Sequence, residues 1–236
     1  HLLDKPSADI DWLVDRNEYG KVKKILFKHG YRLKELGWMK KEFYRGVIPR
    51  MSEMSYAKKI FGENLTIDLH LQAVREALTA WYKEPITSDN MSLLTKHLLG
   101  KQTRERGWSV LPDTESLFYL CLNLMIHHAG RGVYQLANIA HIIDVGGTDW
   151  GGLETLARNY RGENYIYFPL LWAERLFKVK VPVLDQIKPS PLRLWLTKIV
   201  VNRWTIMRPI PVGKWFPNRI NLLVVGYLRL LLSLGK

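Results

Sequence analysis

An α+β fold is predicted for this chain: a small mixed sheet with helix cover near the start, followed by a mainly helical C-terminal region. Three patterns carry the prediction. Asp9-Ile10-Asp11-Trp12-Leu13-Val14 and Leu65-Thr66-Ile67-Asp68-Leu69-His70-Leu71 place polar residues at the two-residue repeat of a strand. Between them, Val22, Ile25, Leu26 and His29 recur at helical spacing. Beyond residue 73 the helical repeat dominates.

Taken in order, the first strand brings Asp9 and Asp11 to one face, with Ile10 packing behind them and Trp12-Leu13-Val14 as a buried anchor. Asp15 caps a helix over residues 16–29, and Gly30 stands at its C′ stop. Tyr31-Arg32-Leu33 begins an extended segment, and residues 43–51 and 54–61 read as strands. Gly62-Glu63-Asn64 turns the chain into the Asp68 strand. There Ile67, Leu69 and Leu71 face one side, and Asp68 and His70 the other.

Helices follow over 74–82 and 88–99, then over 113–128 with Leu117, Leu120, Cys121, Leu124 and His128 on one face. The next, over 134–145, turns Leu136, Ile139, Ala140 and Ile143 inward and stops at Gly146-Gly147. Two more cover 152–160 and 165–177. Pro182 and Pro189 mark a linker, and Ser190-Pro191 opens a helix over 192–204. Arg208-Pro209-Ile210-Pro211 is a break before a last helix over 218–234. The expected organisation is a sheet module over 1–72, a helical domain over 73–180 and a basic, Trp/Leu-rich helical tail over 181–236.

Composition narrows the class. The chain has 236 residues, 47% of them hydrophobic, enough for one large or two small domains. Its single cysteine, Cys121, lies in an apolar run, which excludes a disulfide framework and fits a reducing compartment. A cytoplasmic location is expected, with a peripheral one at the inner membrane surface as its variant. No uncharged apolar run is long enough to span a bilayer, and no signal peptide is visible.

The net charge of +13 is unevenly distributed. Residues 186–236 contain no Asp or Glu but carry Lys188, Arg193, Lys198, Arg203, Arg208, Lys214, Arg219, Arg229 and Lys236. That asymmetry predicts an anionic partner. For this stretch the readings are a solvated or packed closing surface, a nucleic-acid contact with Trp195, Trp204, Trp215 and Phe216 stacking on bases, and docking on an anionic membrane. No obligate protein partner is evident.

Chemistry concentrates on three carboxylates. Asp9 and Asp11 converge as hard oxygen ligands suited to Mg²⁺ (or Mn²⁺), and Asp68 on a second strand supplies a third. Three acids around one cation would make a phosphoryl-transfer site. Other titratable groups have two readings each. His70 either contacts phosphate or orients Asp68, or is a satisfied strand histidine. His127, His128 and His141 with Asp144 form a loose metal set or serve the core, and they lack tight ligand spacing. Lys96 and His97 either approach a triphosphate or lie on a solvated helix face.

The stretch Ser7-Ala8-Asp9-Ile10-Asp11-Trp12-Leu13-Val14 resembles the acidic motif of the nucleotidyltransferases related to DNA polymerase β. The nearer resemblance is to an uncharacterised bacterial branch. His29-Gly30-Tyr31, Asp68-Leu69-His70-Leu71, Leu111-Pro112-Asp113, His127-His128-Ala129 and the stretch from Leu136 to Asp144 answer to its later motifs, so the likeness covers about residues 5 to 145. The resemblance implies transfer of a nucleoside monophosphate from a nucleoside triphosphate to an acceptor hydroxyl. Asp9, Asp11 and Asp68 would hold the metal, Asp68 would also act as general base, and Lys5, Ser7 and His70 would meet the nucleotide.

The sequence departs from that pattern in several places. The family's glycine-containing phosphate segment is not found within residues 1–8, and the chain opens at His1, so the sheet module is expected to be N-terminally truncated. Leu71 stands where the family has Trp, and Lys5 is the cation nearest the acidic pair. The competing expectation is a catalytically inactive scaffold of the same fold that binds an anionic partner or membrane through its basic tail. A helical nucleic-acid-binding protein with incidental acids is the other.

Overall fold

The computed structural model describes residues 9–34, 53–60, 62–73, 88–105, 107–126, 130 and 132–201; of Asp9, Glu53, Glu63, residues 88–91 and Val200 it describes the backbone alone. The strand expected over 43–51, the helices expected over 74–82 and 218–234, the break at 208–211, and His127 and His128 lie outside the described residues. The chain divides into two compact units. One is drawn from His1–Thr79 and Met91–Gly100, the other from Ala80–Asn90 and Lys101–Lys236.

In the first unit, four strands form one mixed sheet: β1 (Asp9–Leu13), β2 (Arg32–Leu33), β3 (Glu53–Ile60) and β4 (Glu63–His70), in the order β1-β4-β3-β2. β3 and β4 form an antiparallel hairpin in which Ile60 opposes Glu63. The two-residue connection uses Gly62 at φ +87°, a conformation open to glycine at little cost. β1 runs parallel to β4, with Asp9 opposite Thr66, Asp11 opposite Asp68 and Leu13 opposite His70. The Val14 N–H donates to His70 O at 2.9 Å and extends that pairing beyond the strand.

Helix α1 (Tyr19–Lys28) follows a short 3-10 turn, Arg16–Glu18, capped by Asp15. The Asn17 N–H donates to Asp15 Oδ1 at 2.8 Å. At the other end the Gly30 N–H donates to Phe27 O and the Tyr31 N–H to Leu26 O, with Gly30 at φ +85°. This is the Schellman ending that the His-Gly-Tyr sequence predicts. Leu26 is buried from α1, with Tyr19 and Val22 beside it, against Met54, Tyr56, Ile67, Leu69 and Leu71 of the sheet. Ile25, expected on this inner face, is exposed because the buried stripe runs through positions 19, 22 and 26. Tyr56 is fully buried. Its hydroxyl lies 2.8 Å from that of Tyr19, and burial pushes its pKa well above the usual tyrosine range, making it a weaker acid.

The alternation of β1 and β4 therefore sorts one face to the core and the other away from it. Two expectations are modified. Ile10 pairs with Ile67 but stays 40% exposed, and Trp12, Leu13 and Val14 are half-buried rather than buried. The cause is position: among the described residues β1 is an edge strand, with a neighbour on one side only. Helix α2 (Ser88–Lys101) contributes Leu94 and Leu98 as buried residues, and Thr95 Oγ1 accepts the Ala73 N–H at 2.9 Å.

Among its described residues, the second unit holds a short hairpin and five helices. The hairpin, β5 (Thr103–Glu105) with β6 (Trp108–Val110), pairs Glu105 with Trp108 around Gly107 at φ +87°. The helices are α3 (Asp113–Ile126), α4 (Val133–Val145), α5 (Trp150–Asn159), α6 (Glu163–Phe177) and α7 (Pro191–Val200). α6 is central: α3, α4 and α5 all pack on it, and residues 165–171 are buried without interruption. A helix apolar all round belongs inside. Leu136, Ile139, Ala140 and Ile143 of α4 are buried as their spacing predicts, and Gly146 at φ +87° ends that helix. Gly162 is required by packing, since a Cβ there would come within 2.9 Å of the Phe118 ring.

Cys121 is buried in α3, and burial pushes its thiol up, away from the thiolate form. A thiol reagent at pH 7–8.5 is expected to leave Cys121 unmodified in the native chain and to label it fully in urea. Rapid labelling without denaturant contradicts the packed α3.

Candidate active site

The site is built from the sheet face that α1 does not cover. In a parallel pair, residues in direct register project to the same side, and neighbouring strands lie about 4.8 Å apart. Asp11 on β1 and Asp68 on β4 are such a pair, two carboxylates side by side. Ser55 of β3 opposes Asp68 on its other flank, so the row across three strands reads Asp11, Asp68, Ser55.

His70 stands two residues beyond Asp68 on the same strand, hence on the same face. It is buried, and its Nε2–H donates to Asp11 Oδ1 at 2.8 Å. The Asp11 side chain is 58% exposed and that of His70 only 10%. A buried imidazole thus fixes one oxygen of a carboxylate that otherwise opens to solvent. The hydrogen bond sets the direction of the Asp11 carboxylate.

Asp68 is placed differently. It is half-buried, and its Oδ1 is shut off from solvent with no hydrogen-bond partner among the described residues. Leaving a buried acceptor unpaired costs about 1–3 kcal/mol, and more for a charged one. Such an oxygen calls for a proton, a water or a cation. The donor chemistry suits a hard divalent ion: carboxylate oxygens only, with imidazole held behind one of them. Among the described residues, no group of three or more His, Cys, Asp or Glu side chains is placed so that it could hold a metal ion.

Of the residues singled out from sequence, Asp11 and His70 meet through a hydrogen bond, and Asp68 stands opposite Asp11 in strand register. Asp9 holds its register position opposite Thr66, two residues before Asp11, and its side chain lies outside the described residues, as do Lys5 and Ser7 entirely. Lys96 is exposed on α2 and His97 half-buried there. His141 and Asp144 are both exposed on α4, so within the described residues they form no metal set. Ser55 was not singled out; its only sequence signal is a small polar residue between the inward-facing Met54 and Tyr56.

Comparison with known proteins adds a family to this geometry. Residues 5–178 match the family described as uncharacterised nucleotidyltransferase. The chain belongs to this family. Nucleotidyl transfer is accordingly its function class, and a nucleotide its substrate class. The match spans the acidic strand pair and continues through α6. No curated protein and no solved structure matches the chain. None of the described helices is long and apolar enough to cross a membrane.

If the buried Oδ1 of Asp68 is a strained acceptor, removing it relieves strain. Asp68→Val, which also suits a strand, is expected to raise stability by about 1–2 kcal/mol in urea unfolding without divalent cation. A loss of similar size would show that the carboxylate is satisfied in the free protein.

Proposed function

We propose that this nucleotidyltransferase moves a nucleoside monophosphate from a nucleoside triphosphate to an acceptor hydroxyl, using Asp11, Asp68 and Asp9 to hold Mg²⁺ or Mn²⁺. The observation that carries the reading is the register pairing of Asp11 with Asp68, with one Asp68 oxygen buried and without a hydrogen-bond partner among the described residues. A bound divalent cation would offset the negative charge on the phosphoryl oxygens.

The chain's own residues account for the rest. Asp11, steadied by His70, keeps its oxygen aimed without an entropy cost at the moment of reaction. Asp68 accepts the proton of the acceptor hydroxyl. The acceptor oxygen then bonds to the α-phosphorus as the α–β anhydride bond breaks, and pyrophosphate leaves with the bonding electron pair. Ser55, adjacent in register to Asp68, stands at the edge of this row as a hydroxyl donor toward substrate. Lys5 and Ser7, just ahead of β1 in sequence, are assigned to the triphosphate. The low polarity behind the sheet, from Ile67 and Leu69, strengthens each of these electrostatic contacts.

The test is incubation of the chain with each labelled nucleoside triphosphate and Mg²⁺, followed by label transfer and pyrophosphate release. Asp11→Asn and Asp68→Asn are each expected to lower the rate roughly a thousandfold. Nucleotide binding without turnover in the unaltered chain favours the inactive-scaffold reading instead.

His70→Ala is expected to act through Asp11 rather than on substrate. Apparent affinity for Mn²⁺ should fall about 10- to 100-fold. An unchanged metal dependence would show that His70 serves only the packing of β4.

A further inference from the structure

Helix α7 turns an apolar stripe outward, while its fully buried positions are polar and Leu194 and Leu196 beside them are half-buried. On a 100° helical wheel, its buried side carries Arg193 and Thr197, both polar. Its outward side carries Leu192, Trp195 and Ile199, at i, i+3 and i+7, and these are 68%, 62% and 55% exposed. This pattern is not that of a fraying end. Ser190 and Pro191 start the helix, and the Val201 N–H donates to Thr197 O at 2.7 Å. Val201 itself is buried against Gly130, close enough that a Cβ on the glycine would touch it.

A contiguous apolar stripe turned to water on an anchored helix marks a contact surface. Charge identifies the kind of contact. Lys198 is exposed beside the stripe and Lys188 is exposed just before the helix. No acidic residue occurs from position 186 to 236. A second copy placed face to face across a two-fold axis would set these cations against each other. A nucleic acid would satisfy the cations, but Leu192 and Ile199 offer no flat surface for a base. An anionic bilayer satisfies both: lipid phosphates for Lys188 and Lys198, and the acyl boundary for the Leu-Trp-Ile stripe. Trp at such a boundary keeps its apolar ring in the lipid and its N–H among the headgroups.

We propose that the outward face of α7, Leu192, Trp195 and Ile199 with Lys188 and Lys198, docks the protein on an anionic membrane surface. The helix lies in the interface plane and does not cross it; it has ten residues, far fewer than a span needs. This inference is independent of the reading of the acidic site, since it rests on the exposure pattern of α7 and the charge of the stretch that contains it.

The test is co-sedimentation of the whole 236-residue chain with phosphatidylcholine vesicles, with and without about one third phosphatidylglycerol. Binding is expected with the anionic vesicles only, and to weaken as salt is raised. Trp195→Asp, at an exposed position, is expected to weaken it roughly tenfold or more, and Lys198→Glu roughly fivefold. Circular dichroism and the urea midpoint of both variants should match the unaltered chain. Absence of binding to anionic vesicles overturns the proposal, as does equal binding by Trp195→Asp. A dimer in sedimentation equilibrium that Trp195→Asp dissociates, or an oligonucleotide that displaces the vesicles while Trp195→Asp leaves its binding intact, assigns the face to another partner and also overturns it.

Discussion

The parallel pairing of β1 with β4 in the register that sets Asp11 beside Asp68 is the constraint on which the first unit turns. The two strands come from chain segments separated by α1, β2 and β3, so nothing local fixes their alignment. Side-chain sorting fixes it instead. In the observed register Trp12 sits opposite Leu69, on the side where Leu26, Met54 and Tyr56 complete the core. Reversing the face that β1 presents would send Trp12 outward and a carboxylate inward. The first change loses on the order of 2 kcal/mol of burial, and the second adds the desolvation of a charge. The apolar half of the alternation thus selects the register, and the acidic half is carried to its place by it.

That placement has a cost which the surroundings only partly offset. Two carboxylates on adjacent strands repel each other, the more so with an apolar layer behind the sheet. His70 relieves Asp11 by donating to it from a buried position. Asp68 has no equivalent relief among the described residues. A fold selected for stability alone would place an apolar or neutral side chain there. An unrelieved carboxylate oxygen at the centre of a sheet is understandable where a substrate-borne charge completes the set, and membership of a nucleotidyltransferase family supplies that context.

Much of this was legible in the sequence, and the parts that were not share a physical reason. The alternation around Asp11 and Asp68 announces both strands, and Gly30 and Gly146 mark where α1 and α4 end, because each signal lies within a few residues. The pairing of His70 with Asp11 could not be read, since it depends on which residues face each other across strands 59 positions apart. The β5–β6 hairpin was missed: its strands are three residues long, too short for an alternation to stand out. The helix opened by Ser190-Pro191 was legible in sequence, but which of its faces is exposed was not. The burial of Arg193 and Thr197 and the exposure of Leu192, Trp195 and Ile199 show it.

The proposed chemistry requires a divalent cation shared by the carboxylates of β1 and β4. Anomalous diffraction from crystals grown with Mn²⁺ and a non-hydrolysable nucleoside triphosphate locates that cation directly. The expected result is a peak within about 2.5 Å of oxygens from both Asp11 and Asp68, with triphosphate oxygens completing the shell. Manganese bound with the triphosphate elsewhere on the protein, and no peak between these two side chains, would contradict it.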